Sequence, residues 1–260
     1  MLVYLSDLRL NARLEGPDAA PPLVFSHALG TNQSIWAGVL SHLPDYRCLT
    51  YDQRGHGLSD VPPAPYAMGA LIGDAERLMD HFEVRDAVFI GVSLGGMVAQ
   101  GLAVKRLDLV RALVLSNTAA RIGTAELWAA RVAQIRAEGL DAYADGALQR
   151  QLGPRWQGSP HEPYLRRILT STSPEGWAGC AAAIGGSDFY TTTASLRLPV
   201  LAVAGGNDGT TPPDLVRETA ELIPGHRFHL MPRAGHFPMV EYPAEYAALL
   251  RDFLIGIGHV

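Results

Sequence analysis

Residues 87–96 read Ala87-Val-Phe-Ile-Gly-Val-Ser93-Leu-Gly-Gly96. The first six positions are apolar or glycine with no polar alternation, the pattern of a short strand covered on both faces. Ser93 follows at once, and from about residue 95 to 105 the chain reads as a helix. Gly91-Val-Ser93-Leu-Gly95 therefore places Gly-x-Ser-x-Gly between a strand and a helix, the context of a nucleophile elbow. So tight a turn strains the serine backbone and leaves no room for bulk at positions 91 and 95. Gly96 is read as letting the helix approach the sheet. The serine hydroxyl then sits at a helix N-terminus, where free N–H groups favour developing negative charge. Taken alone, the motif also fits a phosphate-type glycine turn or a plain helix cap.

Outward from this segment, strands and helices alternate. Residues 1–16 read as two short strands turning at Ser6-Asp7. Strands follow at 23–26, 46–51, 110–115, 199–204 and 227–231, and helices at 32–43, 71–82, 213–223 and 244–253. The alternation predicts an α/β fold with a mostly parallel central sheet flanked by helices. Residues 120–195 break it, with helical patterns at 126–138, 140–152, 164–170 and 174–184 and no convincing strand. The expected organisation is a core of residues 1–119 and 196–260, with an all-helical cap (120–195) inserted before the last core strands.

Two further loops follow predicted strands. Ala204-Gly-Gly-Asn-Asp208-Gly-Thr-Thr-Pro212 offers an aspartate and Ala234-Gly-His236-Phe-Pro238 a histidine, each at the carboxyl edge of the sheet where α/β sites form. Separately, Asp208 reads as a turn or cap residue and His236 as a loop residue. Together with Ser93 they give a nucleophile, an acid and a base in the order Ser–Asp–His, each past a different strand. A serine hydroxyl needs a base, imidazole can take its proton near neutrality, and a carboxylate fixes the ring's tautomer. The oxyanion donors expected are the N–H groups of Leu94, directly after the nucleophile, and of Leu29, in the loop Ser26-His27-Ala28-Leu29-Gly30. His27 and His56 are read as structural, and Asp52 and Arg54 as braces of the loop they occupy.

The composition narrows the function classes. At 260 residues and 48% apolar, the chain suits one large α/β domain. Its net charge of −5, with no basic block, argues against nucleic acid. No stretch approaches the roughly 18 apolar residues of a membrane span, and the N-terminus lacks the marks of a signal peptide. A cytoplasmic protein is expected, with Cys48 and Cys180 as buried free thiols. There is no Cys-x-x-Cys and no His-Glu-x-x-His, so neither a metal nor a cofactor is expected. The partner expected is a small lactone or ester; a homo-oligomer is left open.

These residues together resemble the α/β-hydrolase superfamily over nearly the whole chain: His27-Ala-Leu-Gly30, Asp52-x-Arg54-Gly-x-Gly57-x-Ser59, Gly91-x-Ser93-x-Gly95-Gly96, Asp208 and Gly235-His236. Ala28 departs from the glycine usual after the loop histidine. A closer similarity is to the 3-oxoadipate enol-lactonases of bacterial aromatic degradation. It rests on Ser26-His-Ala-Leu-Gly-Thr31 with Trp36, Ser116-Asn-Thr-Ala-Ala-Arg121-Ile-Gly-Thr124, Leu127-Trp128-x-x-Arg131 and Ser173-Pro-Glu-Gly-Trp177-x-x-Cys180-x-Ala182-Ala-Ile184. The resemblance implies hydrolysis of an enol-lactone through an acyl-enzyme. It also implies a cap residue that holds the substrate's free carboxylate; Arg131 is the candidate, with Trp128 as a wall. A carboxylesterase, another lactonase or a carbon–carbon bond hydrolase would use the same machinery, and a non-catalytic ligand receptor the same scaffold.

Overall fold

The computed structural model describes Met1–Val260, and the strand read first lies at its centre. Ala87–Val92 is buried along its whole length. Its side chains alternate between two apolar clusters. Phe89 joins Val24 and Leu113 on one face, while Val88, Ile90 and Val92 join Phe25 and Val114 on the other. Burying one such side chain contributes roughly 1.5–3 kcal/mol, so a strand without polar alternation is stable only in the middle of a covered sheet.

The eight strands are β1 (Leu2–Tyr4), β2 (Arg9–Glu15), β3 (Pro22–Ser26), β4 (Arg47–Tyr51), β5 (Ala87–Val92), β6 (Val110–Ser116), β7 (Val200–Gly205) and β8 (Arg227–Met231). They form one sheet in the order β1-β2-β4-β3-β5-β6-β7-β8. β1 and β2 pair antiparallel, as do β2 and β4; every other pairing is parallel. From β3 the chain steps outward to β4 and later returns to the other side as β5. The adjacent carboxyl ends of β3 and β5 therefore mark a switch point, where a crevice forms. The register Ser26↔Gly91 brings the loop after β3 beside the turn that carries Ser93.

The helices are α1 (Ala37–Leu40), α2 (Met68–His81), α3 (Leu94–Lys105), α4 (Ala125–Gln151), α5 (Glu162–Ser171), α6 (Pro174–Gly185), α7 (Tyr190–Ala194), α8 (Pro213–Glu221), α9 (Pro238–Glu241) and α10 (Pro243–Gly256). The helix expected over 32–43 is instead a 3-10 turn (Gln33–Trp36) followed by the single turn α1. The Asn32 side chain accepts the Ser34 N–H at 3.0 Å, which tightens the start, and Pro44 disfavours helical backbone at Leu43. The short helices α7 and α9 have no periodic signal in the sequence.

Between β6 and β7 the chain holds only α4–α7. α4 is two helices in one: Gly139, at φ 81° and ψ 172°, is not helical and divides it where the two sequence patterns separate. No helix is long and apolar enough to cross a membrane.

Candidate active site

Ser93 adopts φ 55° and ψ −117°, a conformation that L-residues rarely occupy. The glycines around it are sterically required. A Cβ on Gly91 would lie 2.3 Å from the Gly95 carbonyl oxygen, and one on Gly95 would lie 2.2 Å from that of Ser26. Gly96 has a different reason from the one expected. A Cβ there would meet the Thr118 side chain at 2.5 Å, and Thr118 Oγ1 donates to the Ser93 carbonyl oxygen at 2.7 Å. The loop after β6 thus presses on the elbow from outside, with the glycine making room for it.

Asp208 and His236, both buried, meet at 2.7 Å between Oδ2 and Nδ1. A carboxylate only accepts, so the His236 ring presents its Nδ1–H to Asp208. Burial pushes the Asp208 carboxyl up, but His236, Thr211 and Asn117 outweigh it and hold the group below its ordinary value. Thr211 Oγ1 donates to Asp208 Oδ2 at 2.6 Å and Asn117 Nδ2 at 2.8 Å, while the Thr210 N–H donates to Oδ1 at 2.7 Å. Asp208 is therefore an ionised acceptor whose lone pairs are nearly all engaged, which pins the plane in which the ring can lie.

The residues named as oxyanion donors come from the first turn of α3 and from the loop after β3. Leu94 opens α3, so its N–H has no carbonyl four residues back to bond with; its side chain is buried in the core. Leu29 lines the same cavity as Ser93. Two buried histidines shape the Leu29 loop. His56 Nε2 accepts the Gly30 N–H at 2.9 Å, and His27 Nε2 accepts the Gln53 N–H at 2.9 Å while its Nδ1 meets the Ala28 carbonyl oxygen at 2.8 Å. Burial lowers the pKa of both rings, that of His56 to about 3 with a further push from His27. Both stay neutral and act as braces. The neighbouring loop is braced as well: Asp52 accepts from Asn11, Gln33 and Leu58, and Arg54 forks onto Asp74 at 2.6 and 2.7 Å.

Ser93 and His236 line one cavity with Leu29, Trp128 and Arg131, so five of the residues singled out in the sequence converge there. Asp208 stands behind His236. Trp177 and Tyr143 complete an aromatic wall, the Tyr143 ring set edge-on to Trp177 at 5.4 Å. The cavity is small, about 30 Å³. A larger groove of about 540 Å³, beside Asn11, Thr50 and Asp52, is open and polar and brings no nucleophile against a base.

Four contributors were not legible in the sequence. Asn117 and Thr211 hold Asp208. Glu241, buried on α9, accepts backbone N–H bonds from Gly235, Phe237 and Gly153 at 3.0–3.3 Å, and so clamps the His236 loop from both sides. Burial raises its pKa despite those donors. Arg150 reaches the cavity from the end of α4. Of these, Asn117 alone carried a local signal, its place straight after an apolar strand. No cluster of three or more His, Cys, Asp or Glu residues that could hold a metal ion occurs.

A family model described as "Alpha/beta hydrolase family" matches residues 23–249. A 3-oxoadipate enol-lactonase from Acinetobacter baylyi is 34% identical, covering 92% of this chain and 91% of that protein. Among solved structures, the enol-lactonase from Burkholderia xenovorans LB400 superposes with a TM-score of 0.94 at 33% identity, covering 98% of this chain and all of the other. A thermophilic esterase from Thermogutta terrifontis, solved with malate bound, has a TM-score of 0.92 at 26% identity, both chains being fully covered.

Proposed function

The chain belongs to the alpha/beta hydrolase family and is a hydrolase, and from that premise we propose that it opens a small enol-lactone bearing a free carboxylate, converting 3-oxoadipate enol-lactone to 3-oxoadipate. The observation that carries this reading is the meeting of Ser93, His236 and the Arg131 guanidinium in one cavity. A nucleophile and base specify acyl transfer. A cation with no carboxylate partner beside them specifies an acidic substrate.

In this mechanism Ser93 Oγ attacks the lactone carbonyl while His236 Nε2 takes its proton. The N–H groups of Leu29 and Leu94 receive the oxyanion, a pair in which each donor is worth about 10²–10³ in rate. Collapse breaks the ring C–O bond. The leaving oxygen departs as an enol, protonated by His236, and remains tethered to the acyl group because the substrate is cyclic. Water deprotonated by His236 then attacks the acyl-enzyme and restores Ser93. The released enol tautomerises to the ketone. Helices α4–α7 serve as the cap, with Trp128 as a wall and the Arg131 cation, over the Trp128 ring at 4.8 Å, facing the substrate carboxylate. The A. baylyi and B. xenovorans relatives, both enol-lactonases, support this substrate over a general ester.

The test is a side-by-side assay of the enol-lactone and short p-nitrophenyl esters, with fluorophosphonate labelling of the intact protein. The lactone should be preferred in kcat/KM, and Ser93→Ala should abolish both turnover and labelling. Preference for short neutral esters would leave a carboxylesterase. Intact protein that does not label would leave no serine hydrolase at all.

A further inference from the structure

Two cleft arginines escape the ion pairing common on this surface. Arg136, one turn and a half beyond Arg131, pairs with Glu175 at 3.6 Å, and Arg166 on α5 pairs with Asp145. Arg131 and Arg150 pair with no carboxylate. Each rests on an aromatic ring of its own helix, Arg131 over Trp128 at 4.8 Å and Arg150 over Tyr143 at 5.7 Å. A guanidinium stacked in this way is oriented while most of its N–H donors stay free. Arg131, Tyr143 and Arg150 also line both the inner cavity at Ser93 and an outer cleft of about 440 Å³. They form the partition between the two.

The two cations are held differently. Arg131 lies before the Gly139 break and Arg150 after it. The Arg150 carbonyl oxygen accepts the Gly209 N–H at 2.8 Å, next to Asp208, and the Gln151 carbonyl oxygen accepts the His236 N–H at 2.5 Å. The backbone bearing Arg150 is thereby fixed against the loops of both the acid and the base, while that of Arg131 has no such tie. An anion on Arg150 is held in register with the His236 ring.

We infer that Arg150 is the specificity-determining anchor for the substrate carboxylate, with Arg131 as a second, less rigidly held cation on the same anion. This rests on the reading of a carboxylated lactone given above. Charge-assisted, forked contacts to a carboxylate are the stronger kind of hydrogen bond, and their geometry rewards a fixed donor over a mobile one.

The experiment compares kcat/KM on a lactone with a free carboxylate and on its methyl ester, in wild type, R150Q, R150K and R131Q. Tm verifies folding; the Arg150 side chain is exposed and the tethers are backbone bonds, so the fold should survive. The acid-to-ester preference should fall about 10–100-fold in R150Q, the worth of one charged hydrogen-bond pair, mostly through KM. It should recover in part in R150K and fall less in R131Q. An R150Q protein that keeps the wild-type preference, whether or not total activity drops, overturns the assignment and leaves the carboxylated-lactone reading intact. A wild type that does not distinguish acid from ester overturns both.

Discussion

The His236 backbone N–H donates to the carbonyl oxygen of Gln151 at 2.5 Å, so the His236 loop is bonded directly to the last turn of α4. A Cβ on Gly235 would lie 2.2 Å from that same oxygen. Gly235→Ala should push the loop away from α4 and displace the His236 ring from its place in the cavity it shares with Ser93. We expect stability to fall by about 2–4 kcal/mol, the range for overpacking and backbone strain together. The fall in kcat should exceed the fall in folded fraction, measured by urea unfolding alongside steady-state kinetics.

Asp208→Asn retains the size of the side chain and loses the ionised acceptor. The amide can present its N–H to His236 Nδ1, which favours the wrong tautomer. A fall in kcat on the order of 10³–10⁴ is expected by analogy with triads in general, with the melting temperature changed far less than the rate.

Glu241→Gln replaces a carboxylate that accepts from three backbone N–H groups by an amide with one acceptor oxygen. At least one buried donor is then unsatisfied, at about 1–3 kcal/mol. Because two of those donors flank His236, kcat should fall as well. A variant that loses stability while keeping kcat would show Glu241 to be only a core brace.

His56 gives a pH dependence with a definite sign. Its folded-state pKa is held near 3, below the ordinary 6.5, so the unfolded chain binds the proton more readily. The stability it supports is complete above pH 6.5 and is lost as pH falls through the window towards 3. His27, also buried and lowered, adds to the same slope. His56→Gln retains an acceptor for the Gly30 N–H and removes the titrating ring. Urea midpoints measured from pH 7 to pH 4 should decline less steeply in the variant than in wild type.

The parts legible in the sequence are those encoded locally. An unbroken apolar strand followed by Gly-x-Ser-x-Gly fixes β5, the elbow and Ser93 within one short window. Asp208 was legible because it sits in the loop straight after an apolar strand, and His236 because it follows the strand ending at Met231. Arg150 was not, because the side of α4 it faces depends on the phase reset at Gly139, and that angle is set by tertiary packing. Glu241 stands in Pro-Met-Val-Glu, a stretch without helical or strand periodicity; only the folded chain places it against three backbone donors. The segment 32–43 carries helical spacing, but Asn32 and Pro44 confine it to short turns.

Gly139 tolerates φ 81° and ψ 172° where a side chain would be strained, and open space surrounds it. Gly139→Ala should therefore strain the break without any packing clash, lowering stability by about 1–3 kcal/mol as read from thermal unfolding. The larger consequence is mechanical. The cavity at Ser93 is lined by both halves of α4, Trp128 and Arg131 before Gly139 and Tyr143 and Arg150 after it. With the break at Gly139, the Arg150 half of the helix follows the Asp208 and His236 loops, to which its backbone is bonded, while the Trp128 half packs on α6 through Trp177. The position of the Asp208 and His236 loops and the shape of the aromatic wall are thus set by separate halves of one helix.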